Sequence, residues 1–305
     1  MSGAAARRVD ARLATRAMLG QKRRPMNDPW RHHSVPQFLL QQFADVGGLL
    51  FHFDKRRPDK GIGYDGPKGI FYERDLYSSF DDRTGKLDPR FEKFLDRRVE
   101  NPAAPIIAKI IKAARVEVEP RLTKQARRKL DLFLQYQMRR APEFTKIHTA
   151  EFQGGLRATL ASMERDYGPL PQYLKDEISD PNSRLSKDAV VYAQARANPS
   201  ISAFQSTQGL LIAVIADAKK AFAIGSNPIV FASRPLFREF GVHGLWLPIA
   251  SDVAISLGGP AGAEIVRPIT EHSSVRRLNE LTFQQSDKVA GRSRRLIESL
   301  SNRRR

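Results

Sequence analysis

Cysteine is absent from all 305 residues. Its absence excludes a disulfide framework, a thiolate metal site and a thiol nucleophile, and it fits the reducing cytoplasm where we expect the protein to work. Apolar runs are short. None reaches the roughly 20 residues that a membrane-spanning helix needs, so no integral membrane segment is expected. Negative charge is scarce: 33 Asp and Glu stand against 51 Lys and Arg, for a formal net charge of +18 and a pI of about 10.4. Such a surplus repels itself and attracts polyanions. Nucleic acid is the first partner to expect, another polyanion such as an anionic membrane surface the second. The usual nucleotide and hydrolase fingerprints are missing too. There is no Walker loop and no Gly-x-Ser-x-Gly, and Gly61-Ile62-Gly63-Tyr64-Asp65-Gly66 does not follow a strand and open a helix as a dinucleotide site requires.

What is present suits a folded chain with a sizeable core, 41% hydrophobic and 28% charged. Residues 1–28 read as a basic flexible arm, 29–302 as a single domain and 303–305 as a basic tail. Apolar residues recur at helical spacing through 89–114, interrupted near Asn101-Pro102. They do so again through 122–150, with Thr123 as a start signal and Pro142 as a kink or stop. From 209 the pattern turns to strands: 210–215, 222–224 and 229–231, then a pair at 245–249 and 253–257. Asp217 to Lys220 is placed to turn the first hairpin, and 272–301 reads as helix. Shorter strands are expected at 49–54 and 70–73. Helices in the middle and strands grouped at both flanks predict an α+β fold, mostly helical with a small, largely antiparallel sheet.

One stretch organises the reading: His32-His33-Ser34-Val35-Pro36-Gln37-Phe38-Leu39-Leu40-Gln41-Gln42-Phe43. Ser34-x-x-Gln37 has the form of a capping box, and Pro36 falls where a first helical turn tolerates it. Two imidazoles would then stand at a helix N-terminus, a natural anion site. His33 is either a general base or metal ligand, or a histidine that caps and packs. Glu92 borders the apolar stripe of Phe91, Leu95 and Val99, so it needs a partner; Glu100 falls off that stripe and is expected in solvent. Gln137 follows Phe133 by four and Leu134 by three, which places it on the buried side with Arg140 on the same face. Together they could hold a phosphate or carboxylate, or form a structural polar network tying helix to sheet. Asn227-Pro228 either brings an amide to a site or is simply a turn.

His33-x-Val35-Pro36-Gln37-Phe38-Leu39, with Phe43 and Ala44, resembles the opening motif of an uncharacterised bacterial family, domain of unknown function 4238. The likeness continues through Phe91-Glu92-x-x-Leu95 to Ala104, Gln135-Tyr136-Gln137-x-Arg139-Arg140-Ala141-Pro142, Gly225-Ser226-Asn227-Pro228, Leu247-Pro248 and a terminal helix near Asn279. It covers about residues 31–300 and is thin between 150 and 205. At the acidic position of the family's Ser-Asp-Asn-Pro segment this chain has Ser226. If that carboxylate binds metal or acts as a base in relatives, the resemblance implies that this chain has lost or altered the activity. The family brings no settled function with it.

The leading expectation is a nucleic-acid-associated protein with phosphodiesterase-type hydrolase chemistry on DNA or RNA, a kind of protein that would suit defence against mobile elements. In it His33 is the general base, Glu92 orients it, Gln137 and Arg140 hold a phosphate, and Asn227 lies nearby. A divalent metal is the one cofactor to consider, although His33 and Glu92 are fewer ligands than a catalytic metal usually takes from protein. Arg127, Arg128, Lys129, Arg139, Arg276, Arg277, Arg294 and Arg295 are the candidate nucleic-acid contacts. The alternative is a non-catalytic polyanion-binding module whose polar centre is structural.

Overall fold

A computed structural model describes residues 31–74, 79–80, 87–88, 90–180, 183, 188, 191, 194–195, 204–238, 240–241 and 244–302. The basic arm and tail lie outside these residues. The chain opens with β1 (Arg31–His33), and a four-residue helix α1 (Gln37–Leu40) tightens into a 3-10 turn at Gln41–Phe43. Then come β2 (Leu50–Asp54), β3 (Gly63–Asp65), β4 (Tyr72–Arg74), β5 (Ser79–Phe80) and β6 (Leu87–Asp88). The helical middle consists of α2 (Arg90–Phe94), a π-helical stretch Leu95–Glu100, α3 (Asn101–Ala114), α4 (Lys124–Arg139), α5 (Pro142–Tyr167) and α6 (Gln172–Ser179). Strands β7 (Leu210–Ile215), β8 (Ile224–Gly225), β9 (Val230–Ala232), β10 (Gly244–Pro248), β11 (Val253–Leu257) and β12 (Glu264–Ile269) follow. The described chain closes with α7 (His272–Gln284), β13 (Lys288–Gly291) and α8 (Arg294–Ser301).

The fold is α+β, predominantly helical, with mostly antiparallel sheets. The larger sheet has the order β12-β7-β11-β10-β9, in which only the β12–β7 pairing is parallel. Its interior strand β7, Leu-Leu-Ile-Ala-Val-Ile, is buried along its whole length, as a strand covered on both faces should be. Ile107, Ile110 and Ile111 of α3 join Leu130 and Phe133 of α4, Phe237 and Trp246 in the same core. A second sheet has the order β3-β2-β13-β8, antiparallel throughout. Alternation divides β2 between two faces. Phe51 and Phe53 pack with Val289, Phe283, Ile297 and Leu300 against α7 and α8, whereas Leu50 belongs to the main core.

Local chemistry explains most boundaries. The Thr123 hydroxyl accepts from Ala126 N at 3.1 Å and caps α4. Pro142 starts α5 rather than kinking α4, because a first-turn proline gives up an N–H that has no helical partner anyway. The π-helical turn stands just ahead of Pro102 and Pro105, in a stretch whose hydrogen-bond ladder those two rings interrupt.

Four expectations need correction. The Ser34 capping box does not form: α1 begins at Gln37 without a side-chain cap, and Ser34 Oγ donates to the Phe71 carbonyl at 3.2 Å. The histidines therefore belong to β1, not to a helix entrance. Asp217–Lys220 does not turn a hairpin, since β7 and β8 lie in different sheets and the turn carries the chain between them. The 272–301 segment is not one helix; β13 interrupts it as a central strand of the second sheet.

Candidate functional site

The residues that the sequence singles out do meet, but around backbone. His32 Nε2 lies 2.8 Å from Glu92 Oε2, and the imidazole has no solvent exposure. The expected partner of Glu92 is His33 or an arginine; strand alternation brings the neighbouring histidine instead. Gln137 Nε2 donates to the Ser34 carbonyl at 2.8 Å. Arg140 donates from Nη1 to Glu100 Oε1 at 2.5 Å and from Nη2 to the His33 carbonyl at 2.6 Å. Glu100, expected in solvent, is half-buried in that ion pair. Side chains from α2, the π turn and α4 thus converge on β1 and fix its main chain.

β1 pairs with β4. Ser34 N and Oγ both donate to the Phe71 carbonyl, and the His33 and Tyr72 rings lie 6.3 Å apart. Phe71 itself is buried with φ 55, a left-handed conformation that is costly for a bulky side chain.

Asn227 stands apart from this assembly in the bonds it makes. Its N–H donates to Ser286 Oγ, and its carbonyl accepts from the same hydroxyl. Ser226 Oγ accepts from the backbone N–H groups of Asp287 (3.1 Å) and Lys288 (3.2 Å). The Gly-Ser-Asn-Pro segment is a turn locked onto the start of β13. The acidic position now held by Ser226 faces two backbone donors, which a carboxylate could accept equally well. Among the described residues no three His, Asp or Glu side chains gather to hold a metal ion.

The basic candidates divide by environment. Arg127 donates to Asp131 Oδ1 at 2.9 Å and to the carbonyls of Gln208 and Gly209. Burial raises the Asp131 carboxyl above its ordinary range despite that arginine. Arg139 is buried, which lowers its guanidinium below the usual value. Arg128 and Lys129 on α4, Arg276 and Arg277 on α7, and Arg294 and Arg295 on α8 are exposed. Of these, Arg276 pairs with Glu280 and Arg294 with Glu298.

A second polar assembly escaped sequence reasoning. A cleft of about 520 Å³ is lined by His52, Asp54, Arg56, Arg57, Lys60, Gly61, Gly63, Asp65, Gly69, Ile70, Phe71, Tyr72, Glu73 and Lys288. Its described lining includes none of His33, Glu92, Gln137, Arg140 or Asn227. Its floor is the face of β2, β3 and β13 opposite α7 and α8. Leu50 and Ala290 take that face into the core, but His52, Asp54, Asp65 and Lys288 make its outer part polar. His52 Nε2 lies 2.8 Å from Asp65 Oδ2. Gly63, the cross-strand partner of His52, leaves room for the imidazole: a Cβ there would lie 2.4 Å from His52 Nε2, and the ring would have to move. Arg56 bridges Asp54 and Glu73, with Nη1 3.0 Å from Glu73 Oε1. Burial raises the Asp54 carboxyl, but the bonds from Arg56 outweigh it and hold the group below its ordinary value. Lys288 Nζ is 4.0 Å from Glu73 Oε1, with its side chain 17% exposed. Burial, joined by the charge of Arg56, pushes that amine below the usual lysine value. All of its lining but Lys288 comes from residues 52–73, yet no motif in that stretch tells which of its side chains face one hollow.

A family model described as a protein of unknown function (DUF4238) matches residues 31–295. Comparison with curated proteins and with solved structures finds no match.

Proposed function

The chain belongs to the DUF4238 family, which carries no assigned activity, and from the geometry we propose that it is a non-catalytic polyanion-binding module, with nucleic acid as its partner and a polar centre that is structural. One observation carries this reading. Arg140, the group proposed to hold a phosphate, spends its guanidinium on Glu100 and the His33 carbonyl with only 6% of its side chain exposed. A buried fork already satisfied by a carboxylate and a main-chain oxygen has little to offer a substrate. The surplus charge finds an outlet in solvent. Arg277 and Arg295, on helices that pack together, are exposed and have no ion pair among the described residues. No described helix is long and apolar enough to cross a membrane. A cysteine-free chain fits the reducing cytoplasm.

Binding of the full chain to labelled DNA and RNA duplexes over a range of salt tests the reading. Tight binding at low salt with a steep negative slope of log Kobs against log[salt] is expected. The double variant Arg277→Ala/Arg295→Ala should flatten the slope on DNA by about 2, near 0.9 per lost phosphate contact. Absence of binding at low salt would overturn it, as would duplex cleavage that disappears in a folded His33→Ala variant.

A further inference from the structure

The cleft above β2, β3 and β13 is a built site that the surface reading leaves unused. Three observations say what it takes. The first is the floor. The other face of the same sheet is apolar against α7 and α8, whereas this face places an imidazole, two carboxylates and an amine in one hollow. The imidazole lies across Gly63, at a position where any side chain would collide with it.

The second is the charge balance. Four cations, Arg56, Arg57, Lys60 and Lys288, meet three carboxylates, Asp54, Asp65 and Glu73. Asp65 is held by His52, while Asp54 and Glu73 are both held by Arg56. Lys288 and Arg57 stand at 4.0 Å and 3.8 Å from their nearest carboxylates, beyond hydrogen-bond reach. No ion pair to Lys60 is present among the described residues. The amine of Lys288 is thus mostly buried, with no carboxylate within hydrogen-bond distance. The net surplus is one positive charge, which a carboxylate would also balance, but its two oxygens are fewer than the three cationic groups. A phosphomonoester, close to a dianion at neutral pH and carrying three acceptor oxygens, suits all three.

The third is size. A cleft of about 520 Å³ is in the range of small-molecule sites, roughly 300–1,000 Å³, and larger than a bare phosphate needs. Ile70 and Phe71 line it from within the main core, and the partly exposed Tyr72 is the aromatic residue of its wall suited to a ring.

We propose that this cleft binds the phosphomonoester of a nucleotide-sized ligand, with Lys288, Arg57 and Lys60 on the phosphate and His52, aligned by Asp65, beside it. The ligand is a free mononucleotide or the phosphorylated end of an oligonucleotide, which share this chemistry. The site is independent of the exposed arginines of α7 and α8.

Calorimetric titration of the full chain with adenosine 5′-monophosphate, adenosine, inorganic phosphate, and a short oligonucleotide with and without a 5′-phosphate tests it. The monophosphate should bind at least tenfold more tightly than adenosine or inorganic phosphate. Arg57→Ala and Lys288→Met should each weaken it tenfold or more. Arg57 is 60% exposed, so its variant folds, and urea unfolding of both variants identifies any loss due to misfolding. A 5′-phosphorylated oligonucleotide that outbinds the monophosphate identifies a nucleic-acid end as the ligand; the reverse order identifies a free nucleotide. Either order supports the proposal. It is overturned if the monophosphate does not bind at low salt, if adenosine or inorganic phosphate binds as tightly, or if folded Arg57→Ala and Lys288→Met bind the monophosphate like wild type.

Discussion

Arg140 Nη2 donates to the main-chain carbonyl of His33 across 107 residues of sequence, at 2.6 Å. An arginine that holds backbone is part of the scaffold. Arg140→Met would leave Glu100 and that carbonyl without their donor. A cost of about 3 kcal/mol is expected, at the low end for a broken buried pair because Glu100 keeps some contact with water. Urea unfolding measures it. A variant as stable as the parent but weaker on duplex DNA would return Arg140 to a ligand-holding role.

Ser226 accepts two backbone N–H bonds at the entrance to β13. Ser226→Ala leaves both partly buried donors without that acceptor and should lose about 1 kcal/mol or more. Ser226→Asp keeps an acceptor and should lose less. Equal losses in the two variants would show that the position is filled by size rather than by hydrogen bonding.

Gly63→Ala introduces a Cβ where the His52 ring now lies. The ring must swing away and give up Asp65, at a cost of about 1–3 kcal/mol for overpacking. In NMR spectra the His52 ring signals should shift far more than those of the distant His272. Unmoved His52 signals would mean that the strands separate rather than the ring.

The Lys288 amine has a pKa below the ordinary lysine value of 10.5, burial being the largest cause. Below 10.5 the unfolded chain therefore binds more protons at this position than the folded one, and this group adds stability as pH rises through that window. Lys288→Met removes the penalty, so its advantage over wild type should be largest near pH 7 and fade toward pH 10.5. Paired unfolding curves at pH 7 and pH 10 check the sign. An advantage that grows with pH would contradict the desolvated amine.

The parts of the fold that rest on local periodicity were readable from residues alone. The spacing of Phe133, Leu134 and Gln137 places the glutamine inside, and the 245–249 and 253–257 runs pair as β10 and β11. Ser34 misled because its hydroxyl had two acceptable partners, a helix N–H nearby and the Phe71 carbonyl 37 residues on. β13 was hidden because four residues ending in glycine, set between two helical patterns, show no period of their own. The polar centre was half legible. Its members were named, but Glu92 took the other histidine and Arg140 took main chain, since strand alternation and backbone direction decide such pairings. The cleft was not legible: apart from Lys288 its lining falls within 52–73, a stretch that reads as strands and loop with no sign of which side chains share a face, and only the pairing of β2 with β13 brings Lys288 to them.

Because β13 is wedged between β2 and β8, the cleft is completed late in synthesis. A growing chain can present His52, Asp54 and Asp65 long before the ribosome has added the strand that carries Lys288. Until then β2 has a bare inner edge, and the hollow lacks the one amine that comes from β13. Completion of the hollow therefore needs a chain translated through at least Gly291, and a product that terminates between Gln284 and Lys288 would lack Lys288 together with Arg294 and Arg295 of α8.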